Sequence, residues 1–183
     1  MSSSGSHCFI AEAHASRAFL ETTNAVTFTN EDMEVQYPDH KRPLYVSLMI
    51  NEVHVRRALI DIGLSLNLIP LSTLVATSIS RRKIQGLLME ITGFGRGCEH
   101  TIGHIQLVLK VKPLMGLTRF HVLDSSMSYH VLLGRPWLHK HKLISSTYHQ
   151  CVKGRLNGKP IRIPANATPF DQLEAHYLKT AFL

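Results

Sequence analysis

One acidic side chain stands inside a strongly apolar stretch of the chain. Asp61 lies in the segment RALIDIGLSLNLIP, residues 57–70, where leucine and isoleucine fill most of the neighbouring positions, and Gly63 follows two residues later. Burying an unpaired carboxylate is costly, so an acid in such a run has either a partner or a chemical role. Asp61 is therefore the first candidate for a catalytic residue, with Ile62, Gly63 and Leu64 as its loop.

Histidine and cysteine side chains are the other candidates, because both can bind metal ions. The chain has 12 histidines, so a metal site has to be considered. No group of them has the Cys-x2-Cys and His-x3-His spacing of a structural zinc site. We therefore expect no metal and no cofactor, and surface histidines that add positive charge below about pH 6. The residues concerned form two groups in the sequence, Cys98, His100 and His104, and His139, His141, His149 and Cys151.

Composition limits the classes of protein that remain. The length of 183 residues suits one domain with tails, and 44% hydrophobic against 18% charged residues is typical of a globular protein. No apolar run reaches the roughly 18 residues of a membrane-spanning helix, and the first residues lack the layout of a signal peptide. Three scattered cysteines, Cys8, Cys98 and Cys151, favour a reducing compartment. We expect no membrane contact and an intracellular protein, cytoplasmic or nuclear.

Positive charge is concentrated in one part of the chain, whose formal net charge is +7. No acid occurs between Asp124 and Asp171. Such a basic flank is able to contact nucleic acid, although solvated strand faces and a tail are the favoured explanation. A weak nucleic-acid contact through residues 135–162 therefore stays open. The cations of this flank are Arg135, Lys140, Lys142, Lys153, Arg155, Lys159 and Arg162.

From Pro43 the chain consists of short apolar runs of strand length. Two short helices are predicted, at 71–78 after Pro70 and from Pro136. Asn157 and Gly158 suit a type I′ turn between the last two strands. Strands are predicted at 44–50, 53–61, 88–93, 101–112, 118–124, 130–134, 145–153 and 160–163.

Two of the apolar strands form a weak internal repeat. RALIDIG, residues 57–63, and YHVLLGR, residues 129–135, each bring a strand to a glycine, and a short helical stretch follows each of them. The two glycines are about 71 positions apart. Many short strands, few helices and glycine-marked turns predict an all-β, barrel-like domain.

In their order and spacing, several segments resemble the protease region of gypsy-type LTR-retrotransposon polyproteins of plants, within the retropepsin-like aspartic peptidases. The match runs from about Phe28 to Tyr177, and its segments are FTNEDMEVQYPDHKRPLYVSL, ALIDIGLSLNLIPLSTL, ITGFG, RFHVLD, YHVLLGRPWLHKHKLISSTYHQCVK and the closing PF and EAH. The resemblance implies a closed β-barrel of the acid protease type with one or two short helices. It divides the chain into a partly disordered lead-in, 1–42, the protease domain, 43–164, and a C-terminal tail, 165–183.

The resemblance also implies a half-enzyme that works as a homodimer and hydrolyses a peptide or polyprotein substrate. Each protomer would contribute one catalytic acid, Asp61. Two such carboxylates side by side share a proton, because like charges a few ångströms apart do not both ionise easily. The ionised one would act as general base on a water molecule, and the protonated one would donate to the peptide carbonyl.

Two glycine-containing segments receive roles from the same resemblance. Leu133, Gly134 and Arg135 would form a supporting turn beneath the catalytic loop. A mobile flap would close over the peptide, and its glycines allow positive φ and close backbone approach. The residues of this flap are Gly93, Phe94, Gly95 and Gly97.

The catalytic loop departs from the family pattern, which is Asp-Thr-Gly or Asp-Ser-Gly followed by Ala or Ser. Ile62 has no hydroxyl to hydrogen-bond across the dimer, and an unpaired buried partner costs roughly 1–3 kcal/mol. Leu64 is the more serious change, because it adds bulk beside the substrate, where a displacement of about 1 Å lowers the rate roughly 100-fold. Arg135 also lacks the acid that relatives place just after the triplet. The sequence thus predicts an aspartic endopeptidase of weak or lost activity.

Two other interpretations stay open. The barrel could serve as a catalytically inactive dimerisation or nucleic-acid-binding module, although the basic flank has only two aromatic residues for base stacking, Trp137 and Tyr148. The chain could also be the translated remnant of an element, without present activity.

Overall fold

The computed structural model describes residues 25–92 and 98–170. Within these residues the chain forms ten β-strands and two short α-helices, and single 3₁₀ turns occur at Asn30–Asp32 and Arg81–Lys83. In chain order the elements are β1 (Tyr45–Ile50), β2 (Val53–Ile60), β3 (Leu68–Pro70), α1 (Leu71–Ala76), β4 (Met89–Ile91), β5 (Glu99–Val111), β6 (Leu114–Leu123), β7 (Val131–Leu133), α2 (Arg135–Lys140), β8 (Ile144–Ser146), β9 (Cys151–Leu156) and β10 (Lys159–Pro164).

Six of these strands close into a barrel. The large sheet has the order β1-β2-β7-β3-β6-β5-β4, and β1 also pairs with β5, which joins the two ends of the six-strand set. β4 extends the sheet beyond β5. Strands β2 and β7 run parallel, as do β3 and β6. The predicted all-β closed barrel with two short helices is confirmed.

The core of the barrel follows from the alternation of side chains along its strands. In β5, Ile105, Leu107 and Leu109 point inward, because successive side chains of a strand face opposite sides. They meet Phe120 of β6 and Trp137 of α2, both fully buried. Helix α2 therefore closes one side of the core.

The last three strands form a separate sheet in the order β10-β9-β8. Asn157 and Gly158 have φ angles of 51° and 76°, which confirms the predicted hairpin turn with positive φ at both positions. The single strand predicted at 145–153 is wrong, because a turn separates β8 from β9. Gln150 has a φ of 56° and its buried side chain donates to the carbonyl of Thr147 at 2.8 Å, which stabilises this turn.

Three other element boundaries differ from the prediction. β6 begins four residues earlier than expected, at Leu114, and pairs along its length with β5. Helix α1 ends at Ala76 rather than residue 78, because Ser78 has a φ of 58°, which ends a right-handed helix. Strand β5 begins two residues before the predicted start.

The chain before the barrel packs on the small sheet. The buried carboxylate of Asp32 pairs with the ammonium of Lys153 at 2.9 Å, and Glu34 pairs with Arg162 at 2.5 Å. The hydrogen bond from Lys153 lowers the pKa of Asp32, and the backbone N–H of Thr29 adds to this effect. Part of the predicted basic flank is therefore engaged within the chain. The domain boundaries at 42 and 165 stay predictions.

Candidate active site

Asp61 directly follows β2 and begins an irregular loop. Its backbone N–H donates to the carbonyl of Leu133 at 3.0 Å, which holds the residue against β7. Its Oδ1 accepts the N–H of Gly63 at 2.8 Å. The side chain is partly exposed, and this one bond is local to the loop. A carboxylate held in this way keeps its second oxygen open to solvent or to another molecule.

The predicted repeat brings its two copies into contact. Strands β2 and β7 lie side by side and parallel, with Ile60 opposite Leu133. The N–H of Arg135 donates to the carbonyl of Leu64 at 2.9 Å. A Cβ on Gly134 would lie 2.2 Å from the carbonyl oxygen of Leu66, so only glycine fits at this position. The structure thus places the segment 133–135 directly against the Asp61 loop.

Asn67 links three parts of the site and was missed from the sequence. The side chain is buried, its Oδ1 accepts the N–H of Gly134 at 3.0 Å, and its Nδ2 donates to the carbonyl of Arg119 at 3.1 Å. One amide therefore joins the loop, the turn and β6. An available signal was the position of this polar residue between two leucines, since a buried amide needs partners.

The two residues that depart from the family pattern have different surroundings. Ile62 is 67% exposed at the tip of the loop. Leu64 is partly buried and packs against a second apolar cluster that includes Leu123, Tyr129 and Leu132. Leu64 therefore finds contacts within its own protomer, whereas Ile62 presents an apolar side chain to solvent.

Tyr129 lies in the wall beside the loop. Burial, together with the negative charges of Glu99 and Asp61, raises the pKa of its hydroxyl to about 12. The hydroxyl therefore stays protonated at physiological pH and remains a hydrogen-bond donor. Glu99 accepts a hydrogen bond from Ser125 at 3.3 Å. Nothing in the sequence indicated that Tyr129 and Asp61 lie near each other.

A pair of basic side chains, the buried His130 and the partly buried Arg57, joins β2 to the segment that enters β7. Nη2 of Arg57 lies 2.7 Å from Nε2 of His130, and the N–H of His130 donates to the carbonyl of Arg57. Burial lowers the pKa of His130 to about 4, with the charge of Arg57 contributing. The imidazole is therefore neutral near pH 7 and accepts from the guanidinium.

The predicted flap lies in a part of the chain that the structure does not describe. The flap residues Gly93, Phe94, Gly95 and Gly97 lie outside the described residues; the flanking strands β4 and β5 pair with each other. Within the described ranges, no carboxylate pairs with Arg135, and no group of three or more His, Cys, Asp or Glu side chains is arranged to hold a metal ion. No helix in the same ranges is long and apolar enough to span a membrane.

Comparison with solved structures identifies the type of fold, whereas the other two comparisons find no match. No protein-family model matches the chain, and no curated protein matches it. The retroviral protease-like domain of Ddi1 from Leishmania major superposes with a TM-score of 0.54 at 22% identity, covering 68% of this chain and 94% of that one. The six-strand barrel and this likeness together define a retropepsin-like fold.

Two other solved structures are similar at lower scores. EIAV protease in complex with the inhibitor HBY-793 has a TM-score of 0.46 and 24% identity, covering 58% of this chain and 93% of that one. A retropepsin-like aspartic protease from Rickettsia conorii has a TM-score of 0.47 and 16% identity, covering 61% of this chain and 82% of that one.

Proposed function

We propose that the chain is one protomer of an aspartic endopeptidase in which two copies of Asp61 meet across a twofold axis. The observation that carries this proposal is the Asp61 loop itself. It combines a carboxylate with an open second oxygen, a glycine turn packed beneath it, and an apolar tip exposed to solvent, on a retropepsin-like barrel. The described residues contain one such loop, so the second acid has to come from a second copy.

The paired carboxylates would hydrolyse a peptide bond by general acid–base catalysis. Sharing one proton, they present one ionised and one protonated group to the substrate. The ionised Asp61 takes a proton from a water molecule as this water attacks the carbonyl carbon, and the protonated Asp61 donates to the carbonyl oxygen. Collapse of the tetrahedral intermediate then breaks the C–N bond as the amine takes up a proton. This scheme needs no metal or cofactor.

Ile62 is the main reason to propose weak activity. Two Ile62 side chains facing each other would bury apolar surface but would leave the opposite loop without a hydroxyl donor, at a cost of roughly 1–3 kcal/mol per site. Leu64 contributes less than the sequence suggested, because its side chain packs on the wall of its own protomer. Imperfect alignment of the two Asp61 carboxylates, rather than blockage of the substrate cleft, would then limit the rate of cleavage.

The substrate we propose is a polyprotein of the LTR-retrotransposon type, processed inside the cell. This part of the proposal rests on the order and spacing of the sequence segments that resemble gypsy-type protease regions. A homodimer follows from the single Asp61 loop.

Cleavage and oligomeric state test the proposal together. We expect sedimentation equilibrium to show a dimer, and peptide libraries at mildly acid pH to show slow, pepstatin-sensitive cleavage that Asp61→Asn abolishes. Asp39→Asn, which removes an exposed carboxylate from a loop, is the matched control and should leave cleavage unchanged. A strict monomer, or cleavage that survives Asp61→Asn, contradicts the proposal.

A non-catalytic dimer on the same barrel is the second candidate, and the exposed Ile62 favours it. In that case the chain would dimerise without cleaving any peptide in the same assay. Nucleic-acid binding has less support, because Lys153, Arg155 and Arg162 of the basic flank are bound to residues of the lead-in. Salt-dependent retention on RNA that Lys142→Ala weakens would favour it.

A further inference from the structure

The outward face of the β5–β6 hairpin forms a regular ladder. Each of its four cross-strand pairs points away from the core, because the residues between them are buried except for the partly exposed Gly116. We call these eight residues the ladder face. Its pairs are Lys110 with Met115, Val108 with Leu117, Gln106 with Arg119, and His104 with His121.

An apolar ridge occupies the middle of the ladder face. Val108 and Leu117 are paired directly and are each 51% exposed, and Met115 beside them is 67% exposed. Isolated exposed hydrophobic residues are common, but adjacent ones that form a ridge mark an interaction surface more often.

Two grooves run along the ridge, one on each side. The first, of about 390 Å³, lies between β6 and α2 and is lined by Leu66, Pro136 and Trp137 among others. The second, of about 300 Å³, lies towards the β1–β2 turn and is lined by Ile50 and Ile79 among others. Both grooves include Gln106 and Leu117 of the ladder face. A chain lying across the ridge would thus have a hollow for side chains on either side.

The charged side chains that line the two grooves are all positive. Arg119 and Lys140 line the first groove and Lys83 lines the second, while no Asp or Glu lines either of them. Arg81 and Arg82 continue the second rim and are exposed. Apolar surface bordered by cations on both sides is complementary to apolar side chains bordered by carboxylates.

We propose that the ladder face docks an acidic segment of another protein, with aliphatic side chains on the ridge and in the grooves and carboxylates on the cationic rims. Nucleic acid fits this surface less well, since single strands stack on exposed aromatic rings and Trp137, the aromatic residue that lines a groove, is 1% exposed. The ladder face lies on β5 and β6, whereas Asp61 follows β2, so the ladder face does not include Asp61. Its first groove reaches Leu66 and Asn67, which follow the Asp61 loop.

Fluorescence anisotropy with a synthetic probe tests this proposal. The probe is a labelled peptide of alternating Glu and Leu, about 14 residues long, which crosses both grooves because an extended chain rises about 3.3 Å per residue. The full chain carries Asp61→Asn so that the probe stays intact, which makes the result independent of the proposed peptidase activity. The same peptide with Gln in place of Glu, and oligo-dT of similar length, are the competing ligands.

We expect micromolar binding of the Glu-Leu probe and clearly weaker binding of the Gln-Leu probe and of oligo-dT. Arg119→Glu should weaken binding about tenfold by reversing a rim charge, and Leu117→Ser about fivefold by removing half-exposed apolar surface. Lys159→Glu, at the β9–β10 turn, and Val75→Ser, at an exposed site on α1, are the matched controls and should change binding by less than about twofold.

Three results would overturn the proposal. Equal binding of the Gln-Leu probe removes the role of charge, and tighter binding of oligo-dT identifies a nucleic-acid surface instead. A loss with Lys159→Glu as large as that with Arg119→Glu shows general attraction to a basic protein. The substituted side chains are exposed, so thermal unfolding followed by circular dichroism serves to confirm that each variant is folded.

Discussion

The two glycine loops that follow β2 and β7 begin alike and end in different surroundings. Around Gly134 the backbone is crowded, and a Cβ there would lie 2.2 Å from the carbonyl oxygen of Leu66. Around Gly63 there is room, and the near atom is Oδ1 of Asp61 at 3.1 Å. The same strand-and-glycine element has become a rigid base in one copy and an open loop in the other.

This difference explains how the barrel can hold an acid at a fixed place and still leave it accessible. The turn at Gly134 fits against the carbonyls of the other loop, and its N–H donates a hydrogen bond to the side-chain oxygen of Asn67, so both contacts hold it in place. The Asp61 loop is fixed from below by this turn, while its upper side carries the carboxylate and the exposed Ile62. The rigid base and the accessible carboxylate therefore belong to different copies of the repeat.

Replacing Gly134 by alanine should have the largest effect on stability, and the same substitution at Gly63 provides the comparison. Gly134→Ala should lower the free energy of unfolding by roughly 3–5 kcal/mol, because the added methyl group meets backbone atoms that cannot move alone. Gly63→Ala, the matched control, should cost less than about 1 kcal/mol and act mainly on cleavage by displacing the carboxylate. Urea unfolding followed by circular dichroism measures both. Equal midpoints for Gly134→Ala and the unsubstituted chain would show that this turn is not the rigid base.

Acid should weaken the connection between β2 and the segment that enters β7. The neutral form of His130 is favoured in the folded state, since its pKa is lowered from 6.5 to about 4, so the unfolded chain binds the proton first as pH falls. Stability is therefore lost between about pH 6.5 and pH 4, by about 3 kcal/mol in total.

His130→Gln isolates this contribution, because glutamine keeps an acceptor for Arg57 and does not titrate. The drop in unfolding free energy from pH 7 to pH 4 should be about 3 kcal/mol smaller in the variant than in the unsubstituted chain. The same drop in both proteins would mean that other groups, such as Asp32, cause the acid sensitivity.

Removing the link between the two loops should have a smaller effect. Asn67→Ala leaves the N–H of Gly134 without its acceptor and should cost about 2 kcal/mol. Asn166→Ala, which removes a single hydrogen bond to the carbonyl of Arg56 elsewhere in the chain, should cost less than about 1 kcal/mol. Chemical unfolding of both variants gives the comparison, and a loss at Asn67 no larger than at Asn166 would deny it a linking role.

The features that the sequence predicted well are local ones. Strand runs and the positive-φ pair Asn157 and Gly158 follow from patterns within a few residues of each other. The closed barrel was implied by the resemblance of segments spread along the chain. The contact between the two loops was expected from the family resemblance, which placed the turn of Leu133, Gly134 and Arg135 beneath the Asp61 loop. The break between β8 and β9 was missed, because the turn there depends on the buried side chain of Gln150.

What the sequence could not give depends on residues far apart in the chain. The hydrogen bonds of Asn67 reach 52 and 67 positions along the sequence, and the ion pair of Asp32 with Lys153 spans 121 positions. The packing of the Leu64 side chain also depends on residues that are far apart in the chain. Its sequence position placed it near the substrate, and only the tertiary packing shows that it contacts the wall cluster.

The smallest effect on the stability of the protomer, and the sharpest test of the open loop, comes from Ile62→Thr. The side chain is 67% exposed, so the free energy of unfolding should change by less than about 0.5 kcal/mol. Val75→Thr, at an apolar position of similar exposure on α1, is the matched control. Any larger consequence of Ile62→Thr must then arise between protomers.

In the proposed dimer a threonine hydroxyl at position 62 would restore a hydrogen bond across the axis in each protomer, worth about 0.5–1.5 kcal/mol apiece. We expect the dimer dissociation constant from sedimentation equilibrium to fall about tenfold and cleavage at mildly acid pH to rise by at least as much. A weaker dimer would instead show that the two Ile62 side chains stabilise the axis by apolar contact. The loop would then have exchanged its polar contact for an apolar one, and slow cleavage would have to originate elsewhere in the site.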